Sequence, residues 1–225
     1  DNNLFLINHE GKILHSMLET IINDQNYKIE NSFVKSNFNG NSILGTLVKE
    51  NELFISHLRK NEKCNNFYIS KGKISTNEIK FKNLFKSEEC VDGLQAGRMI
   101  DFTFNKKKGI LLSIGGEGWD NPTLKPQERT SIVRKTLFIE DDGSYQIFSK
   151  GHRSPQGLTY FKNNIVLTEH GPDGGDEINK IEFDKNYGWP LASYGRHYSE
   201  IKKKNENPYF KDHKNNNFEE PIFTF

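Results

Sequence analysis

Read for hydrophobic period, the chain offers one short strand after another and no long helical pattern, which points to an all-β architecture. Residues 4–8, a His-Glu-Gly turn and residues 12–16 form a hairpin. After an asparagine-rich, irregular stretch over about 23–41 come strands over 43–48, 53–58, 67–70 and 79–85. A third group covers 98–104, 110–114, 135–140 and 145–149, and a fourth covers 157–161, 165–168, 177–183 and the last residues. Four strands in every ~50 residues is the spacing of propeller blades, small antiparallel sheets that cannot bury both faces alone and therefore stack on their neighbours. The expectation is a single domain over 1–225, a β-propeller of four-stranded antiparallel blades numbering about three to four. A β-sandwich suits the strand count but not the blade spacing.

Composition narrows the partners more than the fold. With 31 basic and 30 acidic residues the formal net charge is +1, so nothing global favours nucleic acid or an anionic membrane. The tight basic run Lys202 to Lys204 lies in a polar segment and reads as a solvated loop. No apolar stretch approaches the roughly 20 residues of a membrane span. Hydrophobic content is only 34%, but 17 Phe and 8 Tyr supply large side chains for sheet packing. The chain opens on Asp1 and stops inside the strand-like Pro-Ile-Phe-Thr-Phe, so it is expected to be a fragment or a processed piece. Cys64 precedes one strand and Cys90 follows another, which places them at the ends of neighbouring strands and predicts a Cys64–Cys90 disulfide over two free thiols. A bridge would favour the periplasm or a secreted location.

The chemistry concentrates in one turn. Residues 168–179 read Thr-Glu-His-Gly-Pro-Asp-Gly-Gly-Asp-Glu-Ile-Asn, a loop whose glycines and proline leave backbone carbonyls clear of bulky neighbours. Glu169, Asp173, Asp176 and Glu177 add carboxylates attractive to a hard cation such as calcium, with an ordinary acidic turn as the alternative. Upstream stands Gly-His-Arg-Ser-Pro-Gln-Gly-Leu at 151–158, and downstream Asn-Tyr-Gly-Trp-Pro at 186–190. No nucleophile elbow, His-Glu-x-x-His, Cys-x-x-Cys or phosphate-binding loop competes with this constellation. The glycine-rich residues 115–119 read as an inter-strand turn, and residues 119–134 as a long loop on one surface of a blade.

Taken in order, these three motifs resemble the glucose/sorbosone dehydrogenase family, the soluble pyrroloquinoline quinone (PQQ) sugar dehydrogenases and their aldose dehydrogenase relatives, six-bladed propellers. The family patterns are G-H-R-N-P-Q-G-L, E-H-G-P-x-G-G-D-E-I-N and N-Y-G-W-P. The resemblance implies PQQ and calcium as cofactors, a sugar substrate and an external electron acceptor. Calcium would rest on the backbone carbonyls of Gly171 and Pro172. Arg153 would approach the anionic cofactor, with Ser154, Gln156 and His170 beside it. For Asp176, Glu177 and Asn179 the reading divides evenly between function and fixing the loop. Tyr187, Trp189 and Tyr194 are expected to pack between blades.

The chain departs from the family at two points. Ser154 stands where the motif has asparagine. The family's catalytic histidine, in a segment of the form H-F-G-x-R-L, falls on Leu94, or on Gln95 if the alignment slides by one, and neither is a general base near neutral pH. His170 is the candidate base that the binding loop offers, and His152 is expected to point inward. Two further readings therefore stand beside the dehydrogenase: a propeller that binds sugar, calcium or protein without turnover, and a lactonase-like hydrolase with a calcium-activated water.

Overall fold

The computed structural model describes residues 3–23, 33–91, 96–116, 124–195 and 212–225, and these build four small sheets in succession along the chain. Blade 1 contains β1 (Asn3–Ile7), β2 (Ile13–Met17), β3 (Phe33–Ser36) and β7 (Glu78–Ile79). Blade 2 contains β4 (Asn41–Lys49), β5 (Glu52–Lys60), β6 (Asn65–Lys73) and β8 (Lys82–Cys90). Blade 3 contains β9 (Met99–Phe104), β10 (Lys107–Ile114), β11 (Lys135–Glu140) and β12 (Tyr145–Lys150), with β16 (Lys185–Asn186) added in parallel along β12. Blade 4 contains β13 (Pro155–Phe161), β14 (Asn164–Glu169), β15 (Glu177–Ile181) and β17 (Phe223–Thr224).

Blades 2, 3 and 4 open with the same device. The loops joining β4 to β5, β9 to β10 and β13 to β14 are Glu50-Asn51, Asn105-Lys106 and Lys162-Asn163, with every φ between +45° and +66°. Two left-handed residues in a two-residue loop match the twist of the paired strands, and an asparagine in each pair lowers the cost.

Each interval between blades is a hydrophobic core, and the strands supply it by alternation. On β5, Leu53 and Ile55 meet Ile13, Val34 and Ile79 of blade 1, whereas Phe54 and Leu58 meet Ile110, Leu112 and Leu137 of blade 3. On β10, Ile110, Leu112 and Ile114 face blade 2, and Leu111 joins Phe138, Phe148, Leu158 and Leu167 in the core toward blade 4. Because both faces of a middle strand are covered, β10 reads Gly-Ile-Leu-Leu-Ser-Ile, nearly continuous apolar sequence with little polar alternation. This stacking of small sheets face to face is the propeller arrangement, with β4, β9 and β13 as the adjoining inner strands. Arg98, just before β9, ties all three together: Nε donates to the Gln156 carbonyl at 2.9 Å and an Nη to the Leu44 carbonyl at 3.2 Å.

Strand positions agree with the periodicity, with two corrections in the first two blades. Residues 79–85 are not one strand. Ile79 belongs to β7, which pairs in parallel with β3 of blade 1, and the chain crosses to blade 2 before β8. The segment read as irregular over 23–41 contains β3, and the helix α1 (Leu18–Asn23) precedes it. Short polar sequence masked both, since β3 buries only Val34. The basic run at Lys202 to Lys204 lies outside the described residues.

Cys64 and Cys90 are bonded, with Cα atoms 5.8 Å apart, where β6 and β8 pair Asn66 with Cys90. The bridge closes a loop of sequence separation 26, for which the chain-entropy argument gives about 3.5 kcal/mol of stabilisation. The double substitution Cys64→Ser with Cys90→Ser is expected to lower the unfolding free energy by that amount, with a matching fall in the denaturation midpoint. The wild-type protein under strong reductant should fall to the same midpoint.

Candidate cofactor site

The site is built where blade 3 hands the chain to blade 4. β12 ends at Lys150, and Gly151 turns the backbone with φ +76°; a Cβ there would come within 2.3 Å of the Asn186 amide oxygen and 2.8 Å of the Gly188 nitrogen. This left-handed, crowded position requires glycine. The turn aims His152 and Arg153 inward, and both are buried.

Glu169, at the end of β14, is the acceptor that receives them. Its Oε2 takes the backbone N–H of Arg153 at 2.6 Å, and its Oε1 faces His152 Nδ1 at 3.1 Å and takes the Asn179 amide at 2.9 Å. The His152 Nε2 continues to the Ser149 hydroxyl at 2.7 Å, which meets the Thr136 hydroxyl at 2.6 Å, so one buried polar chain crosses from β11 to β15. Burial pushes the Glu169 carboxyl upward, but His152, the Arg153 N–H and Asn179 outweigh it and hold it below the usual range. Glu177, which among the described residues accepts the Asn179 amide at 3.0 Å, goes the other way. Burial and the charge on Glu169 push it up to about 8, so at neutral pH it keeps its proton.

The binding loop folds on itself through Asp176. Its Oδ1 accepts the Gly171 N–H at 2.9 Å and its Oδ2 faces His170 Nδ1 at 3.1 Å. Burial raises this carboxyl, and the bonds from His170 and Gly171 bring it net below its ordinary value. Behind it lies a knot of bare backbone. A Cβ on Gly171 would stand 2.1 Å from the Gly174 carbonyl oxygen and 2.3 Å from that of Gly175. This close approach requires glycine at 171 and packs the Gly174 and Gly175 carbonyl oxygens together against it.

Arg153 spans the handover and the loop. Its Nη1 donates to the His170 carbonyl at 2.9 Å, and its guanidinium lies 5.2 Å from the centre of the Trp189 ring. Trp189 is held in turn by the loop before β11: Gln127 donates to its carbonyl at 2.5 Å and pairs with Asn186, while the Pro126 carbonyl takes the Gly151 N–H. That loop is fixed by Lys135, whose Nζ reaches the carbonyls of Lys125, Pro126 and Val133 at 2.7 to 3.2 Å. Burial lowers the Lys135 ammonium to about 8. Arg153, His170, Gly171, Glu177, Trp189 and Ser193 line one small cleft.

The sequence-expected residues thus divide. Arg153, His170 and Gly171 converge on the cleft, and Pro172 is buried beside it. Ser154 and Gln156 are turned on each other, the Gln156 amide donating to the Ser154 hydroxyl at 3.1 Å, while the Ser154 carbonyl takes the His170 N–H. Of the carboxylates read as calcium-seeking, three are committed elsewhere, Glu169 to His152, Arg153 and Asn179, Asp176 to Gly171 and His170, and Glu177 to Asn179, while Asp173 is exposed. Among the described residues no group of three or more His, Cys, Asp or Glu side chains is disposed to hold a metal. Tyr187 and Trp189 pack inside, Tyr187 stacking on His152, but Tyr194 does not; it is half exposed, stacks on His213 and donates to Glu220. Leu94 and Gln95 lie outside the described residues, as do residues 117–123. Gln127, Lys135 and the role of Glu169 were missed, because their partners stand 9 to 62 residues away in sequence and no local spacing signals them. Replacing Glu169 by Gln is expected to cost about 1–3 kcal/mol near pH 6 through its charge-assisted bonds. Because native Glu169 titrates below its ordinary 4.5, the contribution is present above that pH and is lost as the pH falls through the lower native value, so urea midpoints of the two proteins should converge in acid.

The profile of the family described as glucose/sorbosone dehydrogenase matches residues 42–225. Aldose sugar dehydrogenase YliI of Escherichia coli is 40% identical over 109 residues, 42% of this chain and 29% of that protein. Quinoprotein glucose dehydrogenase B of Acinetobacter calcoaceticus is 51% identical over 85 residues, 32% of this chain and 18% of that protein. The matching segments thus span less than a third of these relatives' length. Among solved structures, the soluble aldose sugar dehydrogenase of Escherichia coli in its apo form superposes with a TM-score of 0.73 at 22% identity, over 98% of this chain and 67% of that one. The PQQ-bound aldose sugar dehydrogenase of Streptomyces coelicolor gives 0.62 at 18% identity, over 99% and 64%. These likenesses fix the fold, a partial β-propeller of the sugar dehydrogenase kind, and the profile match over most of the chain fixes the lineage. The chain belongs to the glucose/sorbosone dehydrogenase family.

Proposed function

We propose that the chain carries the cofactor site of a PQQ- and calcium-dependent oxidoreductase acting on aldose sugars or related alcohols and passing electrons to an external acceptor. The observation that carries this reading is the buried guanidinium of Arg153 bonded to the His170 carbonyl, which sets it directly beside the bare-backbone turn that begins at Gly171. A polycarboxylate quinone and a hard cation need those two chemistries side by side. The residues fit the cofactors with one restriction. Calcium would rest on the backbone carbonyls of Gly171 and Pro172, since Glu169, Asp176 and Glu177 are engaged within the protein. This also counts against a lactonase-like site, which needs side-chain carboxylates and an open water position on the metal.

Bound PQQ would supply the acceptor for a hydride from the substrate carbon. What the chain itself supplies is orientation and a place for the proton. Glu169 fixes the backbone of Arg153, and the His170 carbonyl fixes its guanidinium, so the cation is aimed before any ligand arrives. His170 lines the cleft with its side chain 58% exposed, and Asp176 holds the Nδ1 edge of its ring. A histidine oriented by a carboxylate is suited to taking a hydroxyl proton at Nε2. Ser154 supports a second reading, a propeller that binds sugar or calcium without turnover: its hydroxyl is engaged by Gln156 and offers a ligand less than an asparagine amide would. The disulfide accords with a periplasmic or secreted setting. No helix among the described residues is long and apolar enough to cross a membrane.

Titration of the protein with PQQ, followed by the cofactor's absorbance, should show saturable binding that requires calcium and is reversed by a chelator. Arg153→Ala should weaken it at least about tenfold; absence of binding to the wild type would remove the dehydrogenase reading. His170→Gln separates the two remaining readings. If His170 takes the proton, the variant binds PQQ normally and loses about 10²-fold or more in kcat for aldose oxidation, whereas a loaded wild type that oxidises no sugar favours the non-catalytic propeller.

A further inference from the structure

The outward edge of β12 in blade 3 is only half covered. β16 runs beside it at Ser149 and Lys150, and the Asp184 N–H donates to the Phe148 carbonyl at 2.7 Å. The chain enters β16 through Asp184, whose φ of +60° turns it in at that level. Tyr145, Gln146 and Ile147 therefore have no strand beside them on that side among the described residues. The result is a hollow of about 390 Å³ between β12, residues 129–132 and the turn at 184–185. That volume falls in the range of small-molecule sites.

Its lining is graded from apolar to charged. Ile132 and Phe148, each 3% exposed, give it an apolar base. Tyr145 is braced by an edge contact with Phe85 at 5.3 Å yet stays 47% exposed, so it offers aromatic surface to a ligand. Thr130 and Gln146 add hydrogen-bonding groups, and Arg129, Lys150 and Lys185 face a single acid of the lining, Asp184. Lysines on the neighbouring strands are answered by carboxylates, Lys71 by Glu52 and Lys107 by Glu140, and Lys185 is bonded to Glu219 at 2.7 Å. Arg129 and Lys150 form no ion pair among the described residues. Aromatic surface, hydrogen-bonding side chains and two available cations around one hollow match a small polar ring that carries a carboxylate or phosphate. A partner strand laid along this edge would gain only three residues of pairing, and a neutral ligand would leave both cations unanswered.

We propose that this edge of blade 3 is a second, non-catalytic binding site for a small acidic ring compound, a sugar acid or sugar phosphate, with Arg129 and Lys150 as its anion contacts. It stands apart from the cofactor reading, since no residue lines both the hollow and the cofactor cleft. The test is calorimetric titration at low salt with D-glucuronate, with the primary phosphate ester of glucose and with glucose itself. The proteins compared are the wild type, Arg129→Gln, Lys150→Gln, Asp184→Asn and Arg153→Ala. At least one of the two acids should bind the wild type, about tenfold or more tighter than glucose, and added salt should weaken it. Arg129→Gln and Lys150→Gln should each raise the dissociation constant about threefold to tenfold. Asp184→Asn suits the left-handed backbone and removes the opposing charge, so it should tighten binding about twofold, a gain that loss of folding does not mimic. A wild type that binds neither acid, or binds glucose equally well, would overturn the site. So would acid binding that is lost in Arg153→Ala but kept in both Arg129→Gln and Lys150→Gln, because the anion would then lie in the cofactor cleft.

Discussion

The carboxylate of Glu169 is the point on which the rest of the site depends. It is buried where blade 3 passes to blade 4, and it survives there because a histidine, a backbone N–H and an amide all converge on it. A buried carboxylate without such partners would cost several kcal/mol or take up a proton. Through those contacts one group decides the direction of Arg153, the inward setting of His152 and the start of β15. It also raises the neighbouring Glu177, so that of two adjacent carboxyls one is charged and one is neutral. That asymmetry leaves the cleft less negative than its sequence suggests, which favours an anionic ligand.

The propeller supplies the rigidity this arrangement needs. Strands covered on both faces give blades 2 and 3 a core on each side, and left-handed two-residue turns of one kind set the inner hairpins of blades 2, 3 and 4 in the same register. Arg98 then clamps the inner strands of those blades by carbonyls, one of which belongs to Gln156, three residues after Arg153. A loop rich in glycine would otherwise pay a large entropic cost to hold one conformation. Here Asp176 and close backbone packing hold it from within, while Gln127 and Lys135 brace its neighbour Trp189.

Much of this was legible in the chain and the remainder follows a pattern. Strands were readable because a two-sided core leaves runs such as residues 110–114, and the disulfide because strand ends placed Cys64 beside Cys90. β3 and the split between β7 and β8 were not, since a strand with one buried residue carries no periodic signal. Arg153 and the glycine turn were readable from the ordered motifs. The acidic loop left two readings open because composition shows a carboxylate and not its partners; Glu169 and Asp176 answer to N–H groups close in space. Lys135 carried no signal, as it gains its meaning from carbonyls brought near only by folding.

The account is tested most directly by a crystal structure of the protein grown with PQQ and calcium. It predicts a calcium ion on the carbonyl oxygens of Gly171 and Pro172 at about 2.3–2.6 Å, with a cofactor carboxylate or quinone oxygen on Arg153 and no Glu169, Asp176 or Glu177 oxygen on the metal. A cation held by those carboxylates, or PQQ bound away from Arg153, would contradict it.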